Sequence, residues 1–551
     1  MKRVGSRVPV QLLVISTIQK QWRREISGWS IFTVLLGLAI ILPIAIVLSG
    51  LFQEGPKWDH LASTTLSSYF TNTLILIFNV SVISIAFAIL PAWLVSTCDF
   101  PGRRFFEWGL IMPLAIPTYV AAFVYFQVPD AAIPLLISIR SQFGVEAFIL
   151  AEKELRYGVL SCTMAGVLFP YLYISARASF SQQRQAMIEA SFMLGKSSRA
   201  TFFKVALPLS RPAIVAGLSL ILMEVINDYG AVNFFGVPTL TEGIFRTWFG
   251  LQDRSSAVRL AGIVVLAVFV ILALERAQRG RARFSQSSQM SAPISRRKLK
   301  GLKRVMSVLV CLIPLAIGLL LPVSQLITWS AMTYREVLNP DFFVQLGRSL
   351  GLSLGAAVII TAVATLFAYA AKLHPAGWLR FLNRFSTLGY ASPGAVIAIG
   401  VMVLFGAIDR LFGSAVVSGT MLAIGFAYLV RFLTVAYQPI DAGLSQVCGR
   451  MDESSRVLGK SPLETLVRIN IPLIKGTFIA SAILVFVDIL KELPLTLILR
   501  PANFDTLATT AFGLAKEGRI QECAVPSLII VMAGASGLAI LYRLSSFTEK
   551  R

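Results

Sequence analysis

Twelve apolar runs, each close to twenty residues long, constrain this chain more than any other feature. They fall near 31–52, 73–95, 106–126, 157–176, 213–235 and 257–275, and again near 305–327, 350–371, 386–408, 412–434, 473–498 and 527–542. A bilayer core of about 30 Å is crossed by roughly 20 apolar residues in a helix. Inside lipid, each such segment has to satisfy its own backbone hydrogen bonds. The pattern predicts an all-α integral membrane protein of about twelve transmembrane helices in two six-helix halves. The halves are 1–275 and 305–551, joined by a basic linker at 276–304. Only 14% of residues are charged, against about a quarter in soluble domains, which excludes an ordinary soluble globule. Disorder would need low hydrophobicity. The first apolar run is long for a signal-peptide core, so a retained helix is expected.

The formal charge of +22 raises nucleic-acid binding, which requires a basic folded face. Here the basic residues lie between apolar runs instead. With both termini cytoplasmic, 36 of the 50 Lys and Arg fall on or near the inside, six of them in the 431–475 region. Cytoplasmic loops collect basic residues in this way. The surplus therefore reads as topology, with lipid as the partner and no nucleic acid. Cys98, Cys162, Cys311, Cys448 and Cys523 form no CxxC pair, so neither a disulfide framework nor a zinc site follows. His60 and His374 fall on opposite sides of the predicted membrane, which leaves no catalytic or metal-binding histidine pair.

Between its fourth and fifth runs each half carries one long basic loop, and the two loops repeat. The first reads Glu189-Ala190-Ser191, then Gly195, then Val205-Ala206-Leu207-Pro208. The second reads Glu453-Ser454-Ser455, then Gly459, then Ile469-Asn470-Ile471-Pro472, at a constant offset of 264 residues. Gly195 and Gly459 are placed to end a short helix in a left-handed conformation. Pro208 and Pro472 are placed where a helix restarts or kinks. Two short helices displayed on one side suggest docking knobs for a two-fold partner, or helices lying on lipid. Ala190 to Ser197 and Ser454 to Ser461 end in Gly-Lys-Ser. Both lack the first glycine and the preceding strand that a phosphate-binding loop needs, so this chain is not expected to bind ATP itself.

These loops resemble the EAA loop of permease subunits in ATP-binding-cassette importers. The departures are Ser191, Ser454 and Ser455 for alanine, Val205 for isoleucine and Ile471 for leucine. The resemblance implies a MetI-like permease fold in a bacterial cytoplasmic (inner) membrane. It implies that Glu189, Ala190, Gly195 and Pro208, with Glu453, Ser454, Gly459 and Pro472, seat in two copies of a separate cytoplasmic ATPase. It further implies an external substrate-binding protein, docking on the 236–256 and 499–526 connections, and no tightly bound cofactor, ATP being used by the partner. The stretches 112–120, 392–398, 491–497 and 505–508, with the fused two-permease length, resemble ferric-iron importer permeases. Thiamine, polyamine, sulfate and phosphonate permeases share much of this framework. An ion-gradient-driven carrier also fits a 6+6 repeat, but it leaves the paired loops unexplained. No catalytic constellation for a membrane enzyme stands out.

The residues offer one further feature. Glu224 and Asp228 lie four apart on the fifth run, and Asp488 and Glu492 four apart on the eleventh, again at the 264 offset. Spacing of four predicts one helix face for each pair, and charges within a membrane usually face a cavity or a partner. Two facing acidic pairs would make an oxygen-rich gate suited to a hard cation such as ferric iron. The alternative is a structural role, with Lys491 or another basic residue neutralising them. No metal ligand set is identified.

Overall fold

The computed structural model describes residues 28–182, 191, 193–279, 296–373, 389, 392–414 and 416–548. Glu189, Ala190, His374 and most of the linker lie outside them. The first half contains Gly28–Ser49 (α1), Leu66–Thr97 (α2), Thr118–Tyr125 (α3), Ile133–Gln182 (α4, broken at Gly144, whose φ is +88°), Arg211–Asn227 (α5), Gly230–Phe234 (α6), Leu240–Phe245 (α7) and Arg254–Arg279 (α8). The second contains Leu302–Leu315 (α9), Leu321–Val337 (α10), Pro340–Leu373 (α11), Gly394–Phe412 (α12), Met421–Gln446 (α13) and Gly449–Val457 (α14). It closes with Lys475–Leu490 (α15), Pro494–Leu499 (α16), Leu507–Lys516 (α17) and Ala524–Thr548 (α18).

Among the described residues, nine helices are long and apolar enough to cross a membrane, and up to twelve spans result if three bent pairs count as one each. The bends are 90° between 103–115 and 118–131, 69° between 199–209 and 211–227, and 85° between 462–473 and 475–490. Each has a proline at or near the break. Ile116 is extended, with ψ 121°, ahead of Pro117, as the ring of a following proline demands. Pro208 and Pro472 each follow a widened turn, at 202–206 and 466–470. A proline has no N–H for the preceding turn and its ring crowds the carbonyl four residues back. The wider turn accommodates that loss.

The first helix of each half lies against the other half. α1 packs on α12, where a Cβ on Gly400 would collide with the Pro43 carbonyl. The turn between α9 and α10 packs on α4, where Gly318 meets the Gly166 carbonyl so closely that a side chain would not fit. The Tyr125 hydroxyl donates to the Ile317 carbonyl at 2.6 Å. Small residues permit such close backbone approach between membrane helices. The end of the linker is tied down as well, because Arg297–Lys298 pairs in parallel with Cys98–Asp99. The larger apolar core accordingly draws on both halves, from Tyr119 and Ile244 to Tyr369, Ile399 and Phe512.

Candidate functional site

The two halves meet at a cavity of about 110 Å³ lined by Glu224, Asp228, Asp488 and Glu492, together with Arg431 and Lys491. All four predicted acids reach one place, but not as two pairs on helix faces. α5 stops at Asn227 and α15 at Leu490, so Asp228 and Glu492 lie beyond the helix ends. Each turns back to cap the short helix that follows. Asp228 Oδ1 accepts from the Ala231 N–H at 2.8 Å and the Val232 N–H at 3.4 Å. Glu492 Oε1 accepts from the Leu495 N–H at 3.0 Å. A carboxylate at this position satisfies backbone donors that the first turn of a helix leaves open.

The second partner of each cap differs between the halves. The Thr118 hydroxyl donates to Asp228 Oδ2. The residue that follows the corresponding proline in the second half is Gly394, and a Cβ there would collide with the Arg431 guanidinium. Arg431 fills that space and pairs with Glu492 at 3.2 Å. Its counterpart at the 264 offset is Val167. Sequence reading counted Arg431 among the six basic residues of the 431–475 region on or near the inside, but it is only 8% exposed. Hydropathy places it at the edge of a run, and nothing local distinguishes an edge arginine from one drawn inward by a carboxylate. Thr118→Val should lower stability by about 1–3 kcal/mol, the cost of an unmet buried acceptor. The readout is the thermal midpoint in detergent, with Thr118→Ser near wild type; an unchanged midpoint for the valine variant would remove the hydroxyl from the cap.

Glu224 and Asp488 are the members of the two pairs that do not cap. Asp488 pairs with Lys491 at 2.9 Å. The cavity is therefore a mixed-charge site rather than a purely acidic gate. The Tyr119 hydroxyl, Asn227 Oδ1 and Arg431 Nε are buried at it with no hydrogen-bond partner among the described residues. Buried polar atoms are rarely left so. Among the described residues, no group of three His, Cys, Asp or Glu side chains is placed to hold a metal ion.

The two repeated loops lie at one end of the bundle. Gly195 and Gly459 have φ of +73° and +76°. The next amide donates back to Ser191 and to Ser455, each at 3.1 Å, the six-to-one bond of a Schellman helix end. The serines that replace alanine in the resemblance have a task. Ser191 bonds Thr201 at 2.9 Å and Ser455 bonds Thr465 at 2.8 Å, both buried. Each threonine also donates to a serine carbonyl four residues before it. Asp452, beside Glu453, is held by Lys372 at 2.8 Å and by the Asn470 amide at 3.0 Å. Glu453 and Ser454 are exposed.

Sequence reasoning missed a pair of apolar dipeptides here. Met193 and Leu194 are 90% and 78% exposed, and Val457 and Leu458 are 88% and 78%. They correspond at the 264 offset, immediately before the two glycines. That repetition was present in the sequence, but only the turn reveals that these side chains point outward. Ser455→Ala is expected to cost about 1 kcal/mol, a typical net hydrogen bond. Amide exchange across 449–458 should then quicken roughly fivefold, since about 1 kcal/mol is about a factor of five. Unchanged exchange would mean that the serine does not brace the loop.

A helical, multi-pass membrane protein with two repeated halves, a charged cavity between them and matching loops at one end is a transporter subunit in its construction. The chain belongs to the family of binding-protein-dependent transport system inner membrane components, whose model matches residues 84–279 and 364–551. It is 24% identical, over 93% of its length and 97% of the relative's, to the Fe(3+)-transport system permease protein FbpB 2 of Haemophilus influenzae. A probable permease of an ABC transporter in Sinorhizobium fredii is 24% identical over 68% of this chain and 71% of its own. The sulfate transport system permease CysT of Salmonella typhimurium is 26% identical over 45% of this chain and 92% of its own.

Proposed function

We propose that this permease forms the translocation pathway of an ATP-binding-cassette importer for ferric iron. The observation that carries the coupling half of this reading is the pair of matching loops at one end of the bundle. Each presents an exposed apolar dipeptide on a Schellman turn. Exposed apolar side chains rimmed by polar ones mark interaction surfaces. Two ATPase subunits would seat there, on the cytoplasmic side together with the termini, and an external binding protein would deliver cargo at the opposite end. ATP would be bound and hydrolysed by those partners, with no cofactor held tightly by this chain. Their closure would favour one arrangement of the halves, by as much as their affinity for the two arrangements differs.

Iron as cargo is supported by the whole-length similarity to an iron permease and by four carboxylates at the central cavity. Sulfate is the second reading, favoured by Arg431 and Lys491 at the same cavity and by the shorter similarity to a sulfate permease. Uptake of labelled ferric iron and of labelled sulfate, in a deletion strain carrying this chain, separates the two. Restored iron uptake that is lost in Glu189→Ala/Glu453→Ala supports the proposal. Restored sulfate uptake alone would replace the cargo, and uptake that survives the double substitution would remove the two glutamates from the coupling role.

A further inference from the structure

At the end of the bundle opposite the repeated loops, a second cavity of about 630 Å³ opens between the halves. The first half contributes Arg246 and Glu242, and the second contributes Arg500 and Lys516, against the rings of Phe245 and Phe512. Arg500 pairs with Asp505. Arg246 and Lys516 form no ion pair with any described residue. Burial pushes the Glu242 carboxyl above the ordinary carboxylate range, with Arg246 opposing that shift. The cavity is therefore cationic on balance. Tyr229 lines both this cavity and the acid-bearing one beneath it, and its ring stacks on Phe245 at 3.6 Å between centroids. The two chambers are thus consecutive, with one aromatic pair at their junction.

We infer that this vestibule receives an organic polycarboxylate chelate of net negative charge, so that iron enters the pathway as an anionic complex rather than as a bare cation. The inference deepens the iron reading and rests on it. Arg246 and Lys516, which no ion pair among the described residues offsets, repel a trivalent cation and concentrate an anion, because a cleft with a surplus of one sign of charge focuses the field on the opposite sign. The volume lies in the range of about 300–1,000 Å³ typical of organic ligand sites, far larger than a tetrahedral oxyanion requires. The aromatic walls suit a carbon framework. Arginine matches the planar carboxylate with paired donors, which lysine does not.

Equilibrium binding of labelled ferric citrate to the purified full chain in lipid nanodiscs tests the inference. Sulfate and the cargo-free binding protein serve as parallel probes. Arg246 and Lys516 are exposed, so Arg246→Gln/Lys516→Gln should fold normally. Wild type should bind ferric citrate, the double variant at least tenfold more weakly, and Arg246→Lys/Lys516→Arg within about threefold of wild type. No binding by wild type, or equal binding by the glutamine variant, overturns the vestibule assignment. Iron uptake in the deletion strain would then still stand or fall separately. Weakened docking of the binding protein with unchanged citrate binding also overturns it, since the cations would then serve the partner. Binding of sulfate alone overturns both the chelate and the iron cargo.

Discussion

Arg431→Ala should destabilise the folded permease by about 3–5 kcal/mol, the usual cost of removing one member of a buried ion pair. Arg431 and Glu492 are both buried and 3.2 Å apart. Without the guanidinium, Glu492 keeps the Leu495 amide but carries an uncompensated charge within the membrane. The first half solves the same problem without an arginine, using Thr118, Val167 and Asp228 around an equivalent cap. The triple variant Gly394→Thr/Arg431→Val/Glu492→Asp transfers that solution, and it should recover most of the loss. Thermal midpoints of the purified variants decide the matter. A single alanine variant as stable as wild type would mean that the ion pair does not brace α13 against the turn between α15 and α16.

Met193→Glu/Leu194→Glu combined with Val457→Glu/Leu458→Glu should abolish association with the ATPase while leaving the permease folded. These side chains are mostly solvent-exposed, and surface substitutions away from special features usually move stability by no more than about 0.5 kcal/mol. Central interface residues cost about 2 kcal/mol or more on truncation, so even one docking knob should weaken binding about thirtyfold. Placing the charges in one loop at a time measures the share of each half. Co-purification of the ATPase with the quadruple variant, at wild-type yield, would show that these dipeptides are not the seat.

The architecture was legible where it rests on composition and period. Apolar runs force helices in lipid, and the constant offset between Glu189, Gly195, Pro208 and Glu453, Gly459, Pro472 exposed the repeat. The positive φ of both glycines follows directly from that pattern. What escaped depends on tertiary partners. The spacing of Glu224 to Asp228 is helical, yet α5 ends at Asn227, because Asp228 has the Ala231 and Val232 amides to satisfy. Arg431 moves from the tally of inside basic residues to the cavity because Gly394, distant in sequence, leaves room for it. The crossing of α1 onto the second half depends on Gly400 against Pro43, a fit that no local pattern announces.

ATP-driven accumulation separates an ATPase-coupled importer from a gradient-driven carrier. The purified chain would be reconstituted in proteoliposomes with its ATPase and binding protein, with labelled ferric iron supplied as the citrate complex on the binding-protein side. Uptake should require ATP and both protein partners, and should disappear with the Met193/Leu194/Val457/Leu458 glutamate variant. Accumulation by the permease alone under an ion gradient, without ATP or ATPase, would contradict that requirement and would make this protein a gradient-driven carrier.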